Sequence, residues 1–262
     1  MAERRMLIDS SKCIGCRACQ IACQQWHQMP AEDTSFTGSY QNPEDLSAAN
    51  LTITKFFEAH NNGDLRWLFF KDQCRHCKDP QCKPACPLRA IKVLKKGPAQ
   101  RFVVIKDTCD PSACSTDEIK PCQVACPFRT KEWSTMGIPR YRKNDGSVLV
   151  TGSPMDGKAN KCDFCYDRWR NANLKGVATG MDLYKGKFAR SNRPACELVC
   201  PTGAIKTGEF VKMRRKANRR VRYLQANGYP AANKYPNGLV THVIWVLLED
   251  PSYYALPPLT GA

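Results

Sequence analysis

The stretch Cys13-Ile14-Gly15-Cys16-Arg17-Ala18-Cys19-Gln20-Ile21-Ala22-Cys23 decides how this chain is read. Three thiols at two-residue intervals fit poorly with the backbone approach that structural disulfides require. The layout is not that of a zinc ribbon either, where two Cys-x2-Cys pairs flank a longer loop. It suits three thiolates on three corners of one iron–sulfur cube, with the last cysteine lent to a second cube. Ile14-Gly15 and Arg17-Ala18 supply small residues and backbone N–H groups that can wrap a sulfide-rich core.

Three more groups lie further along. They are Cys74-x2-Cys77-x4-Cys82-x3-Cys86, Cys109-x4-Cys114-x7-Cys122-x3-Cys126 and Cys162-x2-Cys165-x30-Cys196-x3-Cys200, each followed by proline. All 16 cysteines are used. Group one is the bacterial ferredoxin run, in which the fourth cysteine ligates the other cluster of a pair. Four [4Fe–4S] clusters are expected, with zinc at one or more groups as the alternative, since group four alone passes for a ribbon. The span from Cys74 to Pro127 has the length of a compact two-cluster ferredoxin, so groups two and three pair. Cys74, Cys77, Cys82 and Cys126 hold one cluster there, and Cys109, Cys114, Cys122 and Cys86 the other. By elimination, groups one and four pair across the insertion. Cys13, Cys16, Cys19 and Cys200 take one cluster, and Cys162, Cys165, Cys196 and Cys23 the other.

A repeat supports this. Cys86-Pro87-Leu88-Arg89-Ala90-Ile91-Lys92 matches Cys200-Pro201-Thr202-Gly203-Ala204-Ile205-Lys206 in Cys-Pro, Ala-Ile-Lys and spacing. Proline fixes φ and turns the chain away after the last ligand. Short β-rich runs at Met6 to Ile8, Leu68 to Phe70, Phe102 to Ile105 and Val148 to Val150 flank the groups, and Gln20 to Gln28 reads as a helix. The expected fold is α+β: two ferredoxin-like two-cluster modules, one inserted in the other. Module A is residues 1–70 and 150–208, module B is 71–149, and 209–262 is a basic amphipathic helix with a C-terminal docking tail.

The 262 residues carry 40 Lys+Arg against 24 Asp+Glu, formally +16. Such a charge raises nucleic acid first, yet no aromatic stacking pattern or base-reading motif accompanies it. Each oxidised cluster with four thiolates carries about −2, so four lower the total to about +8. Residues 156–222 hold 17 basic and 6 acidic residues. There Phe210, Met213, Ala217, Val221 and Leu224 mark a helix with one core face and one basic face. That basic face is read as solvated, or as docking on an acidic partner. No apolar h-region follows the start, and the longest apolar run is Val243 to Leu248, too short to span a bilayer as a helix. The chain is expected to be soluble or peripheral, without a transmembrane anchor. No nucleophile, acid–base pair or phosphate loop appears, so no catalytic residue is assigned. Among His27, His60, His76 and His242, only His76 sits between ligands. It could tune a cluster, although a structural or solvent-facing imidazole is the plainer reading.

The arrangement resembles the iron–sulfur (beta) subunits of molybdopterin oxidoreductases, and most closely those of formate dehydrogenase. The segments that carry this are Ile8 through Trp26, Tyr40 through Ala48 with its Asn-Pro-x-Asp-Leu-Ser, Leu65 to Leu68, Lys71 through Cys77, Pro194 through Ile205, and Gly238 through Val246 with Tyr253, Leu256 and Pro257. Group three and the gap after Cys165 are longer than in that family. The resemblance implies an electron-transfer subunit relaying single electrons through its clusters, not an enzyme by itself. The implied partners are a Mo/W-bis-pterin catalytic alpha subunit and an external acceptor, a cytochrome c or a membrane subunit. It implies a periplasmic place reached by co-export with the catalytic subunit, with the cytoplasm as the alternative. Service to nitrate, polysulfide or dimethyl sulfoxide chemistry, and a freestanding polyferredoxin, are the other functional readings.

Overall fold

The computed structural model describes residues 3–27, 29, 34–47, 49–61, 64–96, 100–106, 108–115, 119–128, 141–142, 148–149, 159–171, 193–237 and 241–257. Strand β1 is Arg4–Asp9, helix α1 Ala18–Trp26, β2 Thr52–Asn61, β3 Asp64–Gln73, β4 Ile91–Lys96 and β5 Gln100–Ile105. Short helices α2 (Pro111–Cys114) and α3 (Pro121–Val124) precede β6 (Tyr141–Arg142), β7 (Val148–Leu149) and α4 (Tyr166–Asn171). The chain closes with α5 (Ala195–Leu198), β8 (Ile205–Glu209), α6 (Phe210–Ala226), β9 (Asn233–Tyr235) and β10 (Val243–Leu247).

One sheet joins the two ends of the chain, in the order β8-β1-β10-β9. β1 runs parallel to β10 from Met6↔Val243 to Asp9↔Val246, and antiparallel to β8 from Arg4↔Glu209 to Ile8↔Ile205. The run Val243–Leu247 is apolar throughout because both of its faces are buried. Leu7, Ile244 and Val246 face α6, where Met213, Ala217 and Leu224 cover them. Burying Met213 and Leu224 contributes roughly 1.5–3 kcal/mol each. On the opposite face Met6, Ile8, Val243, Trp245 and Leu247 pack against Phe70, Phe102, Phe164 and Tyr254. The segment expected as a docking tail therefore supplies a central strand, with Tyr254 and Leu256 buried beyond it.

Two hairpins stand on that second face. β2 pairs with β3 from Thr52↔Gln73 to Asn61↔Asp64, and β4 with β5 from Ile91↔Ile105 to Lys96↔Gln100. The first hairpin buries charge: Lys55 lies 2.8 Å from Asp45 and 3.4 Å from Asp72, which also pairs with Arg75. β6 and β7 form a separate short pair. Three of the β-rich runs fall wholly in strands and the fourth does so over Val148–Leu149; α1 begins two residues before the expected helix, and α6 follows the amphipathic pattern. Gln28, Val150, most of the gap after Cys165 (172–192) and the final residues (258–262) lie outside the described residues. Among the described residues, no helix is long and apolar enough to cross a membrane.

Candidate metal centres

β1 leads into group one through a single 3-10 turn, Ser10–Lys12, capped by the Asp9 carboxylate, which accepts from the Ser11 N–H at 3.2 Å. Between the first cysteines the backbone turns left-handed twice, at Gly15 (φ 67°) and Arg17 (φ 59°). The Gly15 turn has no room for a side chain, since a Cβ there would sit 2.9 Å from ring carbons of both Phe56 and Phe69. The Arg17 guanidinium donates to the Tyr40 and Asn42 carbonyls (2.8 and 2.7 Å), holding the loop against the 40–50 segment. Helix α1 then sets Cys19 and Cys23 one turn apart.

Cys200 arrives from far along the chain because β8 pairs with β1. Cys13, Cys16, Cys19 and Cys200 line one cavity with Ile8, Thr54, Lys71, Pro201 and Ile205. Burial is the main force on Cys13, opposed by the Gly15 N–H; with the Cys19, Cys16 and Cys200 sulfurs adding to it, the thiol is carried up to about 11. A second cavity is lined by Cys86, Cys109, Cys114 and Cys122, with Pro87, Ile91 and Ile105. The stretched third group thus comes together around the cysteine that ends group two.

The other eight thiols form two further neighbourhoods. Cys77 is pushed up to about 12 by burial and then by the Cys74 and Cys82 sulfurs. Cys126 is raised by burial, with Cys74 and Cys77 as the sulfurs acting on it. Cys165 is raised by burial, then by Asp163, Cys196 and Cys23. Cys162 is likewise raised by burial, then by Cys23. Side chains of α1 reach group four directly. The Trp26 indole N–H donates to Asp167 (2.9 Å), and His27 Nε2 lies 3.1 Å from Asp163.

None of the sixteen cysteines forms a disulfide. Backbone N–H groups point at sulfur instead: Ala90 at Cys86 (3.3 Å), Ala159 at Cys109 (3.4 Å) and Phe164 at Cys162 (3.4 Å). Lys71 is buried and faces sulfur. Burial alone would push its ammonium down, but the Cys196, Cys19, Cys162 and Cys23 sulfurs carry it up. Four thiols gathered at each of two cavities, backbone donors aimed at sulfur and a buried cation beside one cavity fit an anionic, thiolate-bound iron–sulfur group. Such a group needs thiolates, so its binding is coupled to loss of the protons that burial retains.

His76 is fully buried, accepts the Val103 N–H at Nδ1 (3.2 Å) and meets the Phe164 ring edge-on. Burial, Lys161 and His242 hold its pKa well below the usual imidazole range, and the ring does not face solvent. The supporting shell escaped sequence reasoning. Asn50 accepts from Gln20 (3.2 Å) and Gln24 (2.7 Å), and Thr54 Oγ1 lies 3.6 Å from the Cys19 sulfur. The signal for it was the Asn42 to Ser47 motif, whose Asp45, Leu46 and Ser47 turn out to anchor Lys55, fill the core and cap the turn to Asn50.

A family model described as "4Fe-4S dicluster domain" matches residues 65–184, and one described as "4Fe-4S binding domain" matches residues 4–25. The chain is 36% identical to the "Formate dehydrogenase, nitrate-inducible, iron-sulfur subunit" of Escherichia coli (strain K12), over 98% of this chain and 73% of that protein. It is 34% identical to the "Formate dehydrogenase-O iron-sulfur subunit" of the same organism, over 97% of this chain and 71% of that protein. Similarity to the "Formate dehydrogenase 2 subunit beta (cytochrome c-553)" of Nitratidesulfovibrio vulgaris is 33% identity over 96% of both chains.

Proposed function

The chain belongs to the iron–sulfur subunits of formate dehydrogenase, and from that premise we propose how its residues carry out electron transfer. It holds four [4Fe–4S] clusters and relays single electrons between a Mo/W-bis-pterin catalytic subunit, where formate is oxidised, and an external acceptor such as a cytochrome c. A [4Fe–4S] cluster, when bound, supplies one-electron redox chemistry at a potential set by charge, hydrogen bonds and exposure.

The ligand sets are Cys13, Cys16, Cys19 with Cys200; Cys162, Cys165, Cys196 with Cys23; Cys74, Cys77, Cys82 with Cys126; and Cys109, Cys114, Cys122 with Cys86. The observation that supports them best is the pair of cavities that each gather three cysteines of one group and the last of another. The same crossing supports module B, 71–149, inserted into module A, 1–70 with 150–208. Ile8, Pro201 and Ile205 line the first set with apolar side chains, as Pro87, Ile91 and Ile105 do another. Ile14 and Cys16 are exposed, so an outside redox centre can approach the first set there.

Anaerobic purification of the native complex tests this. A large co-purifying subunit with Mo or W, about sixteen irons on this chain and formate-dependent dye reduction are expected. Stoichiometric zinc with little iron would overturn the assignment.

A further inference from the structure

The hairpin β2–β3 buries three cations and treats one of them differently. Lys55 pairs with Asp45 and Asp72, and Arg75 pairs with Asp72. Lys71, 2% exposed, has only neutral hydrogen-bond acceptors: Thr52 Oγ1 at 2.8 Å and the side-chain oxygen of Gln73. Among the described residues, no carboxylate is in ion-pair contact with it. Its position is fixed further by Trp245, whose indole N–H donates to the Lys71 carbonyl at 3.0 Å. Leaving a desolvated ammonium without a counter-charge is costly. Asp72 and Asp45 lie in the same hairpin region but serve the other two cations.

The counter-charge within reach is sulfur. Lys71 lines the cavity of Cys13, Cys16, Cys19 and Cys200. Its charge also acts on Cys23, Cys162 and Cys196 of the second set. One fixed positive charge thus serves two ligand sets. We propose that Lys71 is a positioning residue for electron transfer, the shared counter-charge that raises the reduction potentials of the two clusters of module A together. This rests on the four-cluster reading above. A reduced cluster is more negative than an oxidised one, so a nearby cation favours the reduced form. Lys71 itself is buried, so its charge is weakly screened. Because both clusters feel the same charge, it moves both potentials in the same direction.

The test uses the holo-protein in its native complex, with Lys71→Met, Lys71→Arg and Gln73→Glu variants. The last sets a carboxylate against the ammonium and cancels its field without removing it. Redox titration followed by electron paramagnetic resonance gives the four midpoint potentials, and iron analysis gives occupancy. In Lys71→Met and Gln73→Glu, reduction of two clusters should become at least tenfold less favourable, about 59 mV for a one-electron couple. The two module B potentials should hold in Lys71→Met, and Lys71→Arg should restore the wild-type values. If Lys71→Met loses iron, Gln73→Glu decides by the shift of the two module A potentials. Full iron with all four reduction equilibria within threefold of wild type would overturn the proposal, as would an equal shift of all four. Loss of the same clusters in all three variants would also overturn it, by showing a purely structural role. A wild-type chain lacking about sixteen irons would instead overturn the four-cluster reading.

Discussion

Replacing Gly15 by alanine attacks the loop that holds three ligands of one centre without touching a ligand. The residue sits at φ 67°, where an L side chain costs roughly 1–2 kcal/mol. The added methyl would also lie 2.9 Å from Cε1 of both Phe56 and Phe69 and 3.1 Å from Cδ1 of Phe69. Those rings already pack edge to face at 5.4 Å, so neither can retreat freely. Overpacking of this kind costs about 1–3 kcal/mol. The total, about 2–5 kcal/mol, is a factor of roughly 30 to several thousand against the binding geometry of the loop. Gly38 supplies the control, because φ is 85° there and nothing lies within 4 Å of its Cβ position. Gly38→Ala should lose only the backbone component and keep its iron. Gly15→Ala should drop from about sixteen irons per chain to about twelve, with one of four reduced-cluster signals missing. A Gly15→Ala protein with full iron and a thermal stability equal to that of Gly38→Ala would refute the reasoning.

Other perturbations probe the frame and its setting. Cys82→Ser should damage one cluster of module B and interrupt flow from formate to the acceptor; undiminished transfer would contradict a chain of clusters. Asp72→Asn leaves the buried Arg75 without its carboxylate and Lys55 with one of two. That should cost about 3–5 kcal/mol in chemical denaturation, and a loss below 1 kcal/mol would show that the network is not the anchor inferred here. Trp245→Ala removes a fully buried ring stacked on Phe70 at 5.2 Å. A loss of about 3–5 kcal/mol is expected, read as a lowered melting temperature of the holo-protein. Cell fractionation should find the subunit in the periplasm with its catalytic partner, and recovery with cytoplasmic markers would contradict co-export.

What could be read from the sequence were the features written in local spacing. The four cysteine groups and the 3,4,4,3 pattern from Phe210 to Leu224 need only neighbours along the chain. What could not be read depends on pairing across the fold. Val243–Leu247 is plainly apolar, but its place beside β1 follows from a register joining Met6 to Val243 across nearly the whole chain. β2 was hidden because Thr52 and Lys55 put polar atoms into the interior, where Asp45, Asp72 and Lys71 satisfy them, and Thr54 turns its hydroxyl to the Cys19 sulfur. The short helices α2, α3 and α5 have too few residues to show a period, and all three end within two residues of a ligand cysteine. Lys71 looked like one basic residue among forty; its burial beside sulfur shows only in the fold.

The most direct test of electron relay is rapid freezing of the anaerobic native complex after mixing with formate, read by electron paramagnetic resonance. Reduced-cluster signals of this subunit should appear within one catalytic turnover and vanish when an oxidised acceptor is added. Formate oxidation at full rate with this subunit's clusters remaining oxidised and silent throughout would contradict the relay.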